Sequence, residues 1–251
     1  MRLVHPAIAN DHATRAALTA DAGRAAALSH PSLAALYDVI EEGESLALAH
    51  EHVEGKTLAA TLGGTPLNPR LAAAIGIQIA DGIAEMHASG ITHGAVDAEH
   101  IVITPRGQAK LIDPGLIPWV STGAGRAGSG AGQGAPASDR ARRGAGGPAA
   151  EEGDDIEALG ALLATMTGSS MPKARWADDL RLVIERARPD HPRRYESAPT
   201  LAAELRAVAA MLEARAEAAP PMPAPGGGKS IALWALLGLL LLALGAWLLF
   251  V

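Results

Sequence analysis

Cysteine is absent from all 251 residues, which excludes disulfides and thiolate metal sites as sources of stability. Packing must hold the fold, and 49 % hydrophobic residues suffice for one sizeable core. A reducing compartment fits the same absence. Positive charge is also scarce: 21 Lys and Arg stand against 27 Asp and Glu, a formal net charge of −6. A protein that grips phosphate backbones presents a basic surface, so nucleic acid is not an expected partner. Residues 1–30 lack a basic stretch followed by an apolar run, the pattern of an export signal. The main part of the chain is therefore expected to face the cytoplasm.

Charge is missing altogether from Ile231 to Val251. As a helix rising about 1.5 Å per residue this run would extend roughly 31 Å, the thickness of a bilayer's hydrocarbon core. Trp234 and Trp247 stand toward its ends and Lys229 just before it, as interfacial anchors do. A transmembrane helix over 231–251 is expected, tail-anchoring the chain in the cell inner membrane. Gly238 and Gly245 lack GxxxG spacing, and no dimer is read from them. Large apolar side chains are missing from residues 121–150, where Gly, Ala, Ser and Arg dominate. That composition offers little burial to offset the entropy of ordering, so mobility is expected there. Its Arg140, Arg142 and Arg143 read as solvated, and its Ser121, Thr122, Ser129 and Ser138 as ordinary loop residues. A second linker, 213–230, contains Pro220 to Gly228 and leads to the span.

Between these gaps the pattern is structured. Leu46 to His52 reads as a strand, and 69–89 as an amphipathic helix. Ile101 to Thr104 and Ala109 to Ile112 read as a hairpin turned by Pro105-Arg106-Gly107-Gln108. Residues 154–216 return to helical periodicity, with Ile156, Leu159, Leu162, Leu163 and Met166 on one face.

The most informative stretch is Ile91-Thr92-His93-Gly94-Ala95-Val96-Asp97-Ala98-Glu99-His100-Ile101-Val102-Ile103, followed by Lys110-Leu111-Ile112-Asp113-Pro114-Gly115. It resembles the catalytic frame of the bacterial serine/threonine protein kinases, roughly GIVHRDLKPENILI and KLLDFGL. His93 falls on the HRD histidine, Ala95 on the catalytic aspartate, Asp97 on the phosphate-contacting lysine, and His100 on the metal-binding asparagine. Other motifs recur in order. Met1 to Pro6 is similar to the LKVLHP segment, with Arg2 on the strand lysine, and Asp21 falls on the helix glutamate that pairs with it. His50 falls on the gatekeeper, and Glu51 to Val53 on the adenine-lining hinge. Asp155 to Gly160 resembles a DxxxxG helix opening, and Pro189 to Tyr195 a DPxxRY element.

The resemblance implies an α+β, two-lobe protein kinase-like fold over 1–212. It comprises a truncated N-lobe (1–52), a mainly helical C-lobe (57–212) with the activation segment at 121–150, and then the transmembrane helix. It also implies residual nucleotide-pocket positions at Arg2, Asp21, Glu51, Val53 and Asp113, with Asp113 as a weak metal carboxylate. Phosphoryl transfer depends on positioning and on neutralising charge. Ala95 cannot orient a hydroxyl, and a general base supplies on the order of 100 to 10,000-fold in rate. Asp97 places negative charge where the family places positive charge. His100 is a poor ligand for magnesium, which prefers oxygen. Pro114 replaces the Phe of DFG and fixes φ, so a nonswitching segment is expected. A Gly-rich loop to cradle phosphates is not expected before Arg2.

The expected function is a membrane-anchored pseudokinase, a signalling scaffold or regulatory binding module with protein partners. No cofactor is expected, with ATP and Mg only if residual binding persists. Two alternatives stand beside it: a divergent serine/threonine kinase using Asp113, and a non-catalytic nucleotide sensor. A transition-metal site of His93, Asp97 and His100 is a further reading, requiring that segment to be helical. The sheet edge at residues 1–6 is expected to be open to a partner strand.

Overall fold

The structure, a computed structural model, describes residues 2–4, 12–42, 45–119, 152–168 and 175–217. The expected mobile segment 121–150, the linker beyond 217 and the span at 231–251 lie outside the described residues. Among the described residues, no helix is long and apolar enough to cross a membrane.

Residues 1–213 form one compact unit. It opens with β1 (Arg2–Leu3), α1 (His12–Ala26), β2 (Leu36–Glu42) and β3 (Ser45–His50). The three strands make an antiparallel sheet in the order β1-β3-β2, with Arg2 opposite Leu48 and Val39 opposite Leu48 on its other side. In α1, Leu18, Ala22 and Ala25 recur at intervals of four and three, which places all three on one face. That face closes over Val4, Leu36, Leu46 and Leu48. The expected strand to His52 ends at His50. Beyond it the Glu51 N–H turns to the Ala35 carbonyl at 2.8 Å, and its side chain is drawn to other partners described below.

Next come β4 (Lys56–Thr57), α2 (Leu58–Leu62) and α3 (Pro69–Ala88). Asn68 caps α3 by accepting the Arg70 N–H at 2.9 Å, and Pro69 sits where a missing N–H costs nothing. Ala72, Ile75, Ile79, Ile83 and Met86 make its buried stripe. The expected hairpin forms as β5 (Ile101–Ile103) and β6 (Ala109–Leu111), with Ile101 opposite Leu111; β4 adds on the outer side of β5. Gly107, at φ 77, supplies the left-handed step in its turn.

The helical stretch 154–216 is three helices: α4 (Glu152–Thr167), α5 (Arg175–Arg186) and α6 (Ala198–Glu217). Gly168 follows α4 at φ 70, and its N–H bonds the Ala164 carbonyl at 2.9 Å, as a left-handed residue does past a helix end. Ile79 and Met86 of α3, Leu159 and Leu163 of α4, Val183 of α5 and Leu205 of α6 share one core.

Gly160 is where α4 meets the end of α5. A Cβ there would lie 2.4 Å from the Ala187 Cβ and 3.5 Å from the Ile184 carbonyl oxygen, so the helices touch because this residue has no side chain. Gly160→Ala is expected to cost about 1–3 kcal/mol by overpacking, measured as a drop in urea midpoint with unchanged slope. An unchanged midpoint would show that α5 yields freely.

Candidate functional site

A cavity of about 260 Å³ opens where the segment after β3 faces β5 and the end of β6. His50, Glu51 and Val53 line one wall; Val102, Ile112 and Asp113 line the other. It falls just below the roughly 300–1,000 Å³ usual for small-ligand pockets.

Asp113 lies at the back, 2 % exposed, and adopts φ 58, the only left-handed conformation among the described non-glycine residues. Asp is one of the few side chains that tolerate this region. His50 Nε2 lies 3.7 Å from Asp113 Oδ1, a distance for charge interaction rather than a direct hydrogen bond. The Glu51 side chain already has partners within the protein. Its carboxylate accepts Lys110 Nζ at 2.6 and 2.8 Å and the Ala35 N–H at 3.2 Å. Burial pushes its pKa up, but the Lys110 ammonium and the Ala35 N–H outweigh it and hold the carboxyl below the usual range.

Arg2 is a β1 residue paired through its backbone with β3. Asp21, on α1, accepts the Trp119 indole N–H at 2.9 Å on one oxygen and Arg24 at 2.6 Å on the other. Trp119 ends a 3₁₀ turn, Ile117–Trp119, six residues past Asp113. It and Leu116 are fully buried in the same cluster as Leu18 and Leu48. The chain leaving Asp113 is thus part of the core beneath the β1-β3-β2 sheet.

The loop before β5 is built around Asp155 at the start of α4. Its buried carboxylate accepts the backbone N–H of His93 and of Gly94, both at 2.8 Å, and meets His87 Nε2 at 2.9 Å. Burial pushes Asp155 up, but these three partners prevail and hold it below the usual range. His93 is 1 % exposed. Its Nδ1 accepts the Ala95 N–H at 3.2 Å, so the proton sits on Nε2, which donates to the Ile112 carbonyl at 2.9 Å. Burial lowers its pKa, which keeps the ring neutral. His93 is therefore a packed strut joining the loop to the end of β6.

Ala95 stands half-buried in this loop, a methyl group where the resemblance implies a carboxylate. Asp97 turns back on its own chain: one oxygen accepts the Glu99 N–H at 2.8 Å, the His100 N–H at 3.0 Å and His100 Nδ1 at 2.9 Å. Burial raises its pKa, His100 and the two N–H groups lower it, and the net direction is down. The transition-metal reading of His93, Asp97 and His100 does not hold. The rings of His93 and His100 come within 5.9 Å. Yet both nitrogens of His93 and Nδ1 of His100 are already bonded, and the segment is a loop instead of a helix. Among the described residues, no group of three ligands is placed to hold a metal.

Sequence reading missed three contacts: Lys110 with Glu51, Trp119 with Asp21, and the approach of His50 to Asp113. Only the first had a local signal. Alternation along β6 puts Lys110 on the face opposite buried Ala109 and Leu111, the face of Val102 across the ladder.

A sheet with one packed helix, a hairpin beneath it, a helical lower half and a cleft between define a protein kinase-like module. Comparison with known proteins agrees. The protein kinase domain family matches residues 9–128. Serine/threonine-protein kinase PrkC of Bacillus subtilis is 32 % identical over 115 residues, 45 % of this chain and 18 % of PrkC. Serine/threonine-protein kinase pkn2 of Myxococcus xanthus is 36 % identical over 93 residues, 36 % of this chain and 11 % of pkn2. The chain thus spans less than a fifth of these relatives' length. The kinase domain of PknI from Mycobacterium tuberculosis superposes with a TM-score of 0.59 at 23 % identity, covering 83 % of this chain and 84 % of that one. The likeness to bacterial serine/threonine kinases is plain at the level of fold and sequence frame.

Proposed function

We propose that this chain is a pseudokinase, a signalling scaffold or regulatory module that binds protein partners and is held at a membrane by residues 231–251. The observation that carries it is the loop at Ala95. The frame is intact around His93 and Asp155, while the position for a base is a methyl group. The surroundings support the same reading. Asp97 is a negative group committed to His100, and Asp21 is committed to Trp119 and Arg24. The cavity wall fits a magnesium–triphosphate complex poorly: of its two carboxylates, Glu51 is bound to Lys110 and Asp113 lies 3.7 Å from His50 Nε2. Tethering would raise the effective concentration of partner and domain at the bilayer.

A second reading, a divergent serine/threonine kinase, has its own support. The relatives named above are serine/threonine kinases, so the comparisons favour catalysis more than scaffolding. Asp113 also keeps a buried, left-handed position beside the cavity. A third, a nucleotide sensor, would rest on the wall at Val53.

Purified full chain incubated with labelled ATP, magnesium or manganese and a protein substrate separates them. Incorporation no greater than in Asp113→Asn is expected. Transfer abolished by that substitution would establish the enzyme and overturn the pseudokinase. ATP should leave the thermal midpoint unchanged; a metal-independent rise would mark the sensor. Alkaline extraction of membranes tests the anchor, with the chain expected in the pellet and a deletion of 231–251 in the supernatant.

A further inference from the structure

A second cavity, about 640 Å³, lies far along the chain from the cleft residues, in the link between α5 and α6. Its size falls within the range of small-ligand and peptide side-chain sites. Pro189 and the run His191 to Glu196 form most of its lining, with Arg186 and Thr200.

The floor is fixed. Tyr195 is 3 % exposed and donates its hydroxyl to Glu204 at 2.6 Å. The Arg186 guanidinium stacks over the Tyr195 ring at 4.5 Å, pairs with Glu204, and donates Nε–H to the Arg193 carbonyl at 2.9 Å. The loop is pinned further by Tyr195 N–H to the Arg186 carbonyl at 3.2 Å and Arg194 N–H to the His191 carbonyl at 3.1 Å. Glu204 uses up the charge of Arg186. The charges of Arg193 and Arg194 are different: both side chains are exposed, both line the cavity, and neither is engaged by a described residue. Glu196 is the single acid on the lining, and Asp190 is turned to Arg188 at 3.5 Å. A net positive recess thus stands on a rigid base in a chain whose formal charge is −6.

We infer that this recess docks a phosphorylated serine or threonine side chain of a partner protein. Guanidinium groups present planar forks of donors that match a phosphate's three oxygens, and adjacent arginines are a recurrent means of reading phosphorylated motifs. The Thr200 hydroxyl, bonded to Ser197 Oγ at 2.9 Å, adds a neutral polar group to the lining. The volume leaves room for flanking peptide, more than a free ion would need. Docking here is independent of whether the cleft transfers phosphate.

The test is fluorescence anisotropy of the full chain in neutral detergent, using a labelled peptide of neutral residues carrying one phosphothreonine and its unphosphorylated twin. The phosphorylated peptide is expected to bind roughly tenfold or more tightly than the twin, and inorganic phosphate to compete. Arg193→Glu with Arg194→Glu is expected to abolish the difference at an unchanged thermal midpoint, and Glu196→Gln to strengthen binding. Asp113→Asn is expected to leave it intact, which separates this outcome from the fate of the cleft. Should charge reversal unfold the chain, Arg193→Gln and Arg194→Gln singly carry the same expectation. Equal binding of both peptides, binding unaltered in the arginine variants, or phosphate binding without peptide binding would overturn the inference. So would capture by phosphatidylserine vesicles that is lost in the variants while the phosphopeptide stays free.

Discussion

Trp119→Ala is expected to lower stability by about 3–5 kcal/mol, the cost of removing a large buried aromatic and leaving a cavity. Domains of this size hold roughly 5–15 kcal/mol in all, so the loss takes a large share. Trp119 is fully buried, and its cluster is small: Val4, Leu18, Ala22, Ala25, Leu36, Leu46, Leu48 and Leu116 are its buried members. A cluster built mainly of Leu and Ala has no other aromatic to refill the space. The loss should fall first on α1, β2 and β3, seen as faster amide exchange at residues 36–42 and 45–50 while α3 and α4 stay protected. Trp119→Phe keeps most of the apolar volume and forfeits the bond to Asp21, so it should cost far less, on the order of 1–2 kcal/mol. Wild-type exchange rates in the alanine variant would mean that the segment after Asp113 is not part of that core.

The second large effect is expected at Asp155. Asp155→Ala leaves the N–H groups of His93 and Gly94 and the ring of His87 without their acceptor, in a site where Asp155 is 1 % exposed. Unsatisfied buried donors cost about 1–3 kcal/mol each; partial relaxation makes a total near 3–5 kcal/mol reasonable. Denaturant titration measures it, and a loss below about 1 kcal/mol would show that water replaces the carboxylate. The same group sets an acid limit. Its folded pKa lies below the ordinary 3.8, so the folded state binds the proton less readily than the unfolded chain. The stability it supplies is full above that unfolded value and is lost as pH falls through the lower folded one. Asp97 and Glu51, also shifted down, act in the same direction. Stability should therefore drop steeply below about pH 4, and Asp155→Asn should flatten part of that slope.

These two residues also mark how far the sequence could be read. The frame from His93 to Gly115, the α3 stripe and the β5–β6 hairpin were legible because each depends on local spacing, turn residues and ordered motifs. Asp155 was legible as the opening of a helix, but its three partners were not: His87, His93 and Gly94 lie 61 to 68 residues away in the chain. Trp119 carried no pattern, since it borders a segment without periodicity and its partner Asp21 is 98 residues distant. The recess at Arg193 and Arg194 was visible only as a motif.

The amino-acid order alone determined the absence of disulfides, the α3 stripe, the β5–β6 hairpin and the alanine at position 95 of the His93 frame, because composition and local spacing need no coordinates. Only the tertiary structure decided what the remaining charged groups do. Asp21 serves Trp119, Asp97 serves His100, and Glu51 serves Lys110, while Arg193 and Arg194 are engaged by no described residue. The reason is physical: a side chain's charge is fixed by its identity, but its partner is fixed by which distant segments the core brings within about 3 Å.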